Sequence, residues 1–178
     1  MAEGHRRVAY ISPMHEQNWS VGRLEGLRAA YESAGIPDAV EAFTSQSASP
    51  VAGRELPAHA QAVSHAVEGV LTPVLSGMDD GPRILRRTVD AMRIDASDVL
   101  ERETLRQRTL PLVRRAATDS GITAWVGVND TVALGCLAFH KQSEGKVRPD
   151  TAVVGFDDTL EAFLARMTSY NLGYSTAA

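Results

Sequence analysis

The sequence predicts an α/β fold, a parallel sheet flanked by helices, and three observations carry that expectation. Short apolar runs, Arg7–Ser12, Trp125–Val128 and Thr151–Phe156, alternate with segments of helical periodicity, as in a parallel sheet with helices on both faces. Polar pairs, Asn129-Asp130 and Asp157-Asp158, follow two of those runs, at the strand-to-helix junctions that form the carboxyl edge of such a sheet. The length, 178 residues with 44% hydrophobic content, suits one domain with a proper core.

The elements follow in order. Arg7–Ser12 is stopped by Pro13, which has no backbone donor for a ladder. Leu24, Leu27, Tyr31 and Ala34 recur at threes and fours and mark a helix from Ser20, ended by Gly35 and blocked by Pro37. Ala39–Phe43 reads as a second, shorter strand, and Thr44–Gly53, rich in Ser, Ala and Pro, as a loop. Between Leu56 and Met92 the pattern suggests two helices, one through Ala60, Val63, Ala66, Val67 and Val70, the other through Ile84, Leu85, Val89 and Met92. Gly77–Gly81 is the turn between them. Ser97–Ser120 carries Leu100, Leu105, Leu110 and Val113 in a charged background, and Pro111 is expected to kink or split that helix. After the strand Trp125–Val128 comes a helix over Thr131–Ser143 with Gly145 as its C-cap, then Pro149 and the strand Thr151–Phe156. Thr159–Met167 is a short helix and Thr168–Leu172 a last extended piece.

Composition removes several classes of function. The net charge of -4 argues against a DNA-binding surface on this chain, because phosphate contacts need clustered Lys and Arg. The doublets Arg6-Arg7, Arg86-Arg87 and Arg114-Arg115 read as solvated faces. One cysteine, Cys136, leaves no intrachain disulfide, and its spacing with Val132, Ala133 and Leu137 makes it a small core residue. No apolar run approaches the roughly 18 residues of a membrane span, and MAEGHRRVAYIS has no signal-peptide layout, so a cytoplasmic chain without a membrane partner is expected. There is no P-loop, no Gly-x-Gly-x-x-Gly after the first strand, no His-Glu-x-x-His and no Gly-x-Ser-x-Gly. Of the five histidines only His59 and His65 approach a metal spacing, and a gap of six residues does not put both side chains on one helix face. Catalytic residues, metal and cofactor are therefore not expected.

What remains is a set of polar side chains at the strand ends. Asn129 and Asp157 either cap the helices that follow or contact a ligand. Arg23, placed in the first turn of a helix from Ser20, opposes the helix dipole and so calls for another role. A guanidinium offers five donors, a carboxylate only acceptors and an amide both, a set that reads neighbouring hydroxyl groups. Trp19 either packs against the apolar face of a sugar or serves as an ordinary packing residue.

The segment Ala124–Asp158 resembles the end of the effector-binding domain of lactose/galactose-repressor-type (LacI/GalR) transcription regulators. That family closes with an aliphatic strand, an Asn-Asp pair, a small-residue helix, a Gly-x-x-x-Pro turn and a Val-Gly-aromatic-Asp strand. Gly4–Ile11 looks like the signature that opens the family's second subdomain, and Arg23–Ala30 resembles the helix that follows it. Residues 4–36 and 121–170 carry the resemblance, while 38–120 read as a divergent insertion.

The resemblance implies a periplasmic-binding-protein-like half, one lobe of a two-lobed sensor, over 1–178. It implies a small-molecule effector, a sugar or related polyol, bound by Arg23, Asn129 and Asp157. It also implies a homodimer, and DNA contact only through a domain missing from this chain, together with the first lobe. The ending Thr168-Ser169-Tyr170-Asn171 leans toward GntR-type winged-helix regulators that use the same sensor. The rivals from other classes are a small doubly wound enzyme acting on a nucleotide or sugar phosphate, and a stand-alone dimerisation module.

Overall fold

The computed structural model describes residues 4–45, 65–66, 69–70, 73, 83–145 and 147–173. The elements are β1 (Val8–Ser12), α1 (Asn18–Ser33), β2 (Val40–Thr44), α2 (Arg83–Ala116), β3 (Ala124–Gly127), α3 (Asp130–Gln142), β4 (Ala152–Phe156), α4 (Leu160–Leu164) and β5 (Thr168–Tyr170). All strand pairs are parallel, in the order β2-β1-β3-β4-β5. The expected α/β architecture is therefore present, with the three strongest apolar runs side by side at the centre. From β1 the chain steps to one edge to make β2, then crosses back beyond β1 to make β3. This reversal makes the carboxyl ends of β1 and β3 the switch point of the sheet, the position at which open α/β sheets bind ligands.

Side chains alternate between the two faces of the sheet. Tyr10 points to the α1 side, where its hydroxyl donates to the Ser20 carbonyl at 2.8 Å. Trp125 and Val153 point to the other side. There the Trp125 ring lies 6.1 Å from Phe139 and 6.0 Å from His140, and Val153 packs with Ala133, Leu134 and Leu137 of α3. Tyr10, Ile11, Trp125 and Val128 are wholly buried. Burial on this scale contributes about 1.5–3 kcal/mol for each large apolar side chain.

Two glycines let α3 rest directly on the sheet. A Cβ on Gly127 would lie 2.5 Å from the backbone nitrogen of Ala133, and one on Gly155 would collide with the Asp130 carboxylate. On the α1 side, toward β5, an apolar trough of about 440 Å³ runs past Leu27, Ala30, Val126, Val154, Phe156 and Tyr170.

Element boundaries depart from expectation in three places. Helix α1 starts at Asn18, not Ser20, so Arg23 sits in its second turn, where the dipole argument loses most of its force. The segments expected as separate helices, Ile84–Met92 and Ser97–Ser120, form the single helix α2, and Pro111 does not break it. Pro111 withdraws one backbone donor, but Leu112, Val113 and Ala116 beside it are fully buried, and that packing outweighs one lost bond. The last helix spans only Leu160–Leu164: Thr159, expected inside it, serves as its cap, and the helix ends at Ala165, before Arg166 turns left-handed with φ +54°. The expected turn Gly77–Gly81 and most of the loop Thr44–Gly53 lie outside the described residues. So does most of the helix through Ala60–Val70, although residues 65–66, 69–70 and 73 are helical.

The chain divides into two compact units, Met1–Ser49 with Arg108–Ala178, and Pro50–Gln107. The second is narrower than the insertion expected over 38–120, because β2 and the end of α2 belong to the sheet unit. Within the second unit Glu103 accepts hydrogen bonds from Arg106 and Gln107, which pull its carboxyl down to about 2. Among the described residues no helix is long and apolar enough to cross a membrane.

Cys136 is fully buried in α3, and burial pushes its thiol from 9.0 up to about 12. A thiol-specific reagent at pH 8 is therefore expected to leave Cys136 unmodified in the folded chain and to label it fully in denaturant. Because the unfolded thiol ionises first, stability is expected to fall as pH rises above about 9, and the fall should be smaller in Cys136→Ala. Urea midpoints between pH 8 and 11 measure both effects.

Candidate functional site

Strand β4 leaves the sheet through a turn that ordinary residues avoid. Asp157 has φ +104° and Asp158 φ +53°, two successive left-handed residues, neither of them glycine. Such conformations cost on the order of 1–3 kcal/mol each and persist only where the surroundings hold them. The Asp157 amide donates to the Tyr170 carbonyl at 3.0 Å, and the Asp158 amide donates to Ser169 Oγ at 2.9 Å. Asn171 Nδ2 donates to Asp158 Oδ2 at 2.9 Å.

Behind this turn stands Asp130, a carboxylate with 1% of its surface exposed. Its Oδ1 accepts from Ser169 Oγ at 2.6 Å, while Oδ2 accepts from the Thr159 amide at 2.8 Å and the Thr159 hydroxyl at 3.0 Å. Thr159 in turn accepts the Ala162 amide at 3.2 Å and so caps α4. One buried acid thus ties the start of α3, the start of α4 and strand β5 together. A buried carboxylate is tolerable only when its acceptors are used, and here both oxygens are.

Arg23 reaches this turn from α1. Its Nη1 donates to the Val128 carbonyl, just past β3, and its Nη2 donates to Asp157 Oδ1 at 2.7 Å. The guanidinium carbon lies 4.9 Å from the Trp19 ring centre and 5.0 Å from that of Phe156. The Arg23 side chain is 14% exposed and that of Asp157 37%, so this pair is partly shielded from the solvent that weakens exposed ion pairs.

The four residues singled out from sequence therefore share one rim, in unequal roles. Asn129 Oδ1 accepts the Val132 amide at 2.9 Å and caps α3, which leaves its Nδ2 without a partner among the described residues. Asp157 does not cap α4, since Thr159 has that role. Trp19 is 43% exposed and stacks on Arg23. Sequence reasoning named Asp130 only as half of a strand-end pair, and it missed Ser169, which holds the turn with it, and Phe156 and Tyr170, whose rings adjoin it 6.0 Å apart. Ser169 gives no local signal, because its partner Asp130 is 39 residues away.

A second polar network closes the end of β1. Ser20 Oγ lies 2.8 Å from Ser12 Oγ, 3.1 Å from Tyr10 Oη and 3.1 Å from His15 Nδ1. Ser12, Ser20 and Tyr10 are fully buried, and burial raises the Tyr10 phenol above its ordinary value. The Ser20 hydroxyl is therefore the hub of an internal brace that joins the start of α1 to β1 and to His15 in the turn between them. Arg108 donates to the Pro13 carbonyl on the same side and pairs with Glu16 at 3.6 Å. Among the described residues no group of three or more His, Cys, Asp or Glu side chains is arranged to hold a metal ion.

No family model matches the chain, and no curated protein or solved structure shows significant similarity to it.

The Asp130 network yields a direct expectation. In Asp130→Asn an amide N–H₂ replaces one acceptor and faces the donors of Ser169 or Thr159, leaving buried groups unpaired. A loss of about 1–3 kcal/mol in urea unfolding is expected, with Asp130→Ala at least as costly. A stability within about 0.5 kcal/mol of the parent would contradict the bonding described.

Proposed function

We propose that the chain is a ligand-sensing lobe of a cytoplasmic transcription regulator of the lactose/galactose-repressor type, with a periplasmic-binding-protein-like build. Its effector is a sugar or related polyol. The observation that carries this reading is the Arg23–Asp157 pair, which spans the ends of β3 and β4 beside the switch point. Two of the five guanidinium donors are engaged there, and the others, with Asp157 Oδ2 and Asn129 Nδ2, supply the donors and acceptors that neighbouring hydroxyls need. The positive φ at Asp157 and Asp158 supports the same assignment, because strained backbone tends to collect at ligand sites.

The regulator works by closure of two lobes on the effector. A ligand that binds the closed form more tightly shifts the population toward one DNA-binding arrangement. DNA is contacted through a domain outside this chain, and the lobe associates as a homodimer. A single lobe presents an open half-cleft, which buries less of a ligand than a closed pocket does and so binds weakly.

Sugar titrations of a regulator that contains this lobe are expected to show a ten- to hundredfold loss of affinity in Arg23→Ala and in Asp157→Asn. That corresponds to about 1.5–3 kcal/mol for one charged hydrogen-bond partner. Unchanged effector response in both variants would remove the site. Sedimentation at tens of micromolar, on the order of a modest dissociation constant, is expected to show a dimer, and a monomer would count against self-association.

A further inference from the structure

We propose that the Arg23–Asp157 rim selects its ligand by charge, taking the uncharged polyol and turning away the phosphorylated or carboxylated form of the same compound. The proposal rests on the sensing role above and adds to it the chemical class of the ligand.

The basis is that the cation at this rim is already neutralised. Arg23 meets Asp157 at 2.7 Å, and the adjacent Asp158 and buried Asp130 add two further carboxylates. The other arginine described on this edge, Arg108, pairs with Glu16 and holds the Pro13 carbonyl. The described carboxyl edge thus sets two guanidinium groups against five carboxylates, Glu16, Asp130, Asp157, Asp158 and, in the first turn of α4, Glu161. Lys141 lies in the last turn of α3, away from it.

Helix starts do not reverse the balance. Asn129 caps α3, which has Asp130 in its first turn, and Thr159 caps α4, which has Glu161 in its own. Helix α1 has no side-chain cap, but Glu16 stands two residues ahead of its first residue. A phosphate ester brings a charge of about -1.5 to -2 and needs guanidinium pairs or free backbone amides. To reach Arg23 it must break the Asp157 pair in a field of like charge.

An uncharged polyol has no such obstacle. It leaves the ion pair intact, donates a hydroxyl proton to Asp157 Oδ2 and accepts from Asn129 Nδ2 and the remaining Arg23 donors. Its apolar C–H face rests on exposed aromatic surface, where Trp19 is 43% and Tyr170 61% exposed.

The test is saturation-transfer NMR on the full 178-residue chain, with D-glucose, D-galactose and D-ribose beside their terminal phosphate esters and the two uronic acids. At least one uncharged sugar is expected to bind at millimolar concentration, to lose its signal in Arg23→Ala, and to exceed its anionic form by about tenfold or more at low salt. Asp158→Asn is expected to narrow that gap several-fold. Asparagine tolerates the left-handed backbone at this position, so the variant keeps the turn. An anionic form that binds as well as its parent, with both signals lost in Arg23→Ala, would overturn charge selection and leave the sensing role standing. Failure of every sugar and every anion to bind would remove the sensing role, and this proposal with it.

Discussion

The turn beyond β4, the start of α4 and the seating of β5 all depend on one desolvated carboxyl group. Asp130 is buried at the first turn of α3, and an unpaired carboxylate there would cost more than the fold can support. Its bonds to Thr159 and Ser169 settle that cost and, in doing so, fix where α4 begins and how β5 lies against β4. The same requirement explains Gly155, since any side chain there would occupy the space of the carboxylate. The turn between β4 and α4 is then short of freedom. Ser169 holds the Asp158 amide, Tyr170 holds the Asp157 amide, and both aspartates accept left-handed backbone as a result.

Arg23 converts that local rigidity into a long-range tie. It belongs to α1, which follows β1, yet its donors end on Val128 beyond β3 and on Asp157 beyond β4. The three central strands are thus clamped at one end by a single side chain seated between two aromatic rings. Serine, tyrosine and histidine side chains brace the beginning of the same helix from beneath, so α1 cannot shift along the sheet without breaking bonds at both places. The polar rim is consequently braced from two sides.

Much of the sheet was legible in the sequence because its signals are local. Pro13 after the first apolar run, Gly35 after the first helix and Pro149 before the fourth strand locate element ends within a few residues, and the alternation of elements implies parallel pairing. Helix α2 was not legible as one piece: its pattern reads as two segments parted between Met92 and Ser97, and Pro111 reads locally as a further break that the tertiary burial of Leu112, Val113 and Ala116 overrides. The rim divides along the same line. Asn129 and Asp157 announce themselves by standing at strand ends, where a polar residue needs a reason, and Arg23 by lying near the start of the helix after β1. Asp130 looked like half of an ordinary capping pair, since its partners Thr159 and Ser169 are 29 and 39 residues away. Only the register that sets Gly155 beside Ser169 brings them together.

The two tryptophans have opposite surroundings, and this gives the molecule a built-in optical contrast. Trp125 is sealed under α3 with 1% of its surface exposed, whereas Trp19 lies at the rim with 43% exposed and a guanidinium against its ring. Emission from Trp125 should be blue and hard to quench, reporting only whether the core is intact. Emission from Trp19 should be red, open to acrylamide, and sensitive to any change in the position of Arg23. Fluorescence can therefore separate loss of folding from an event at the rim within one sample, with no label added.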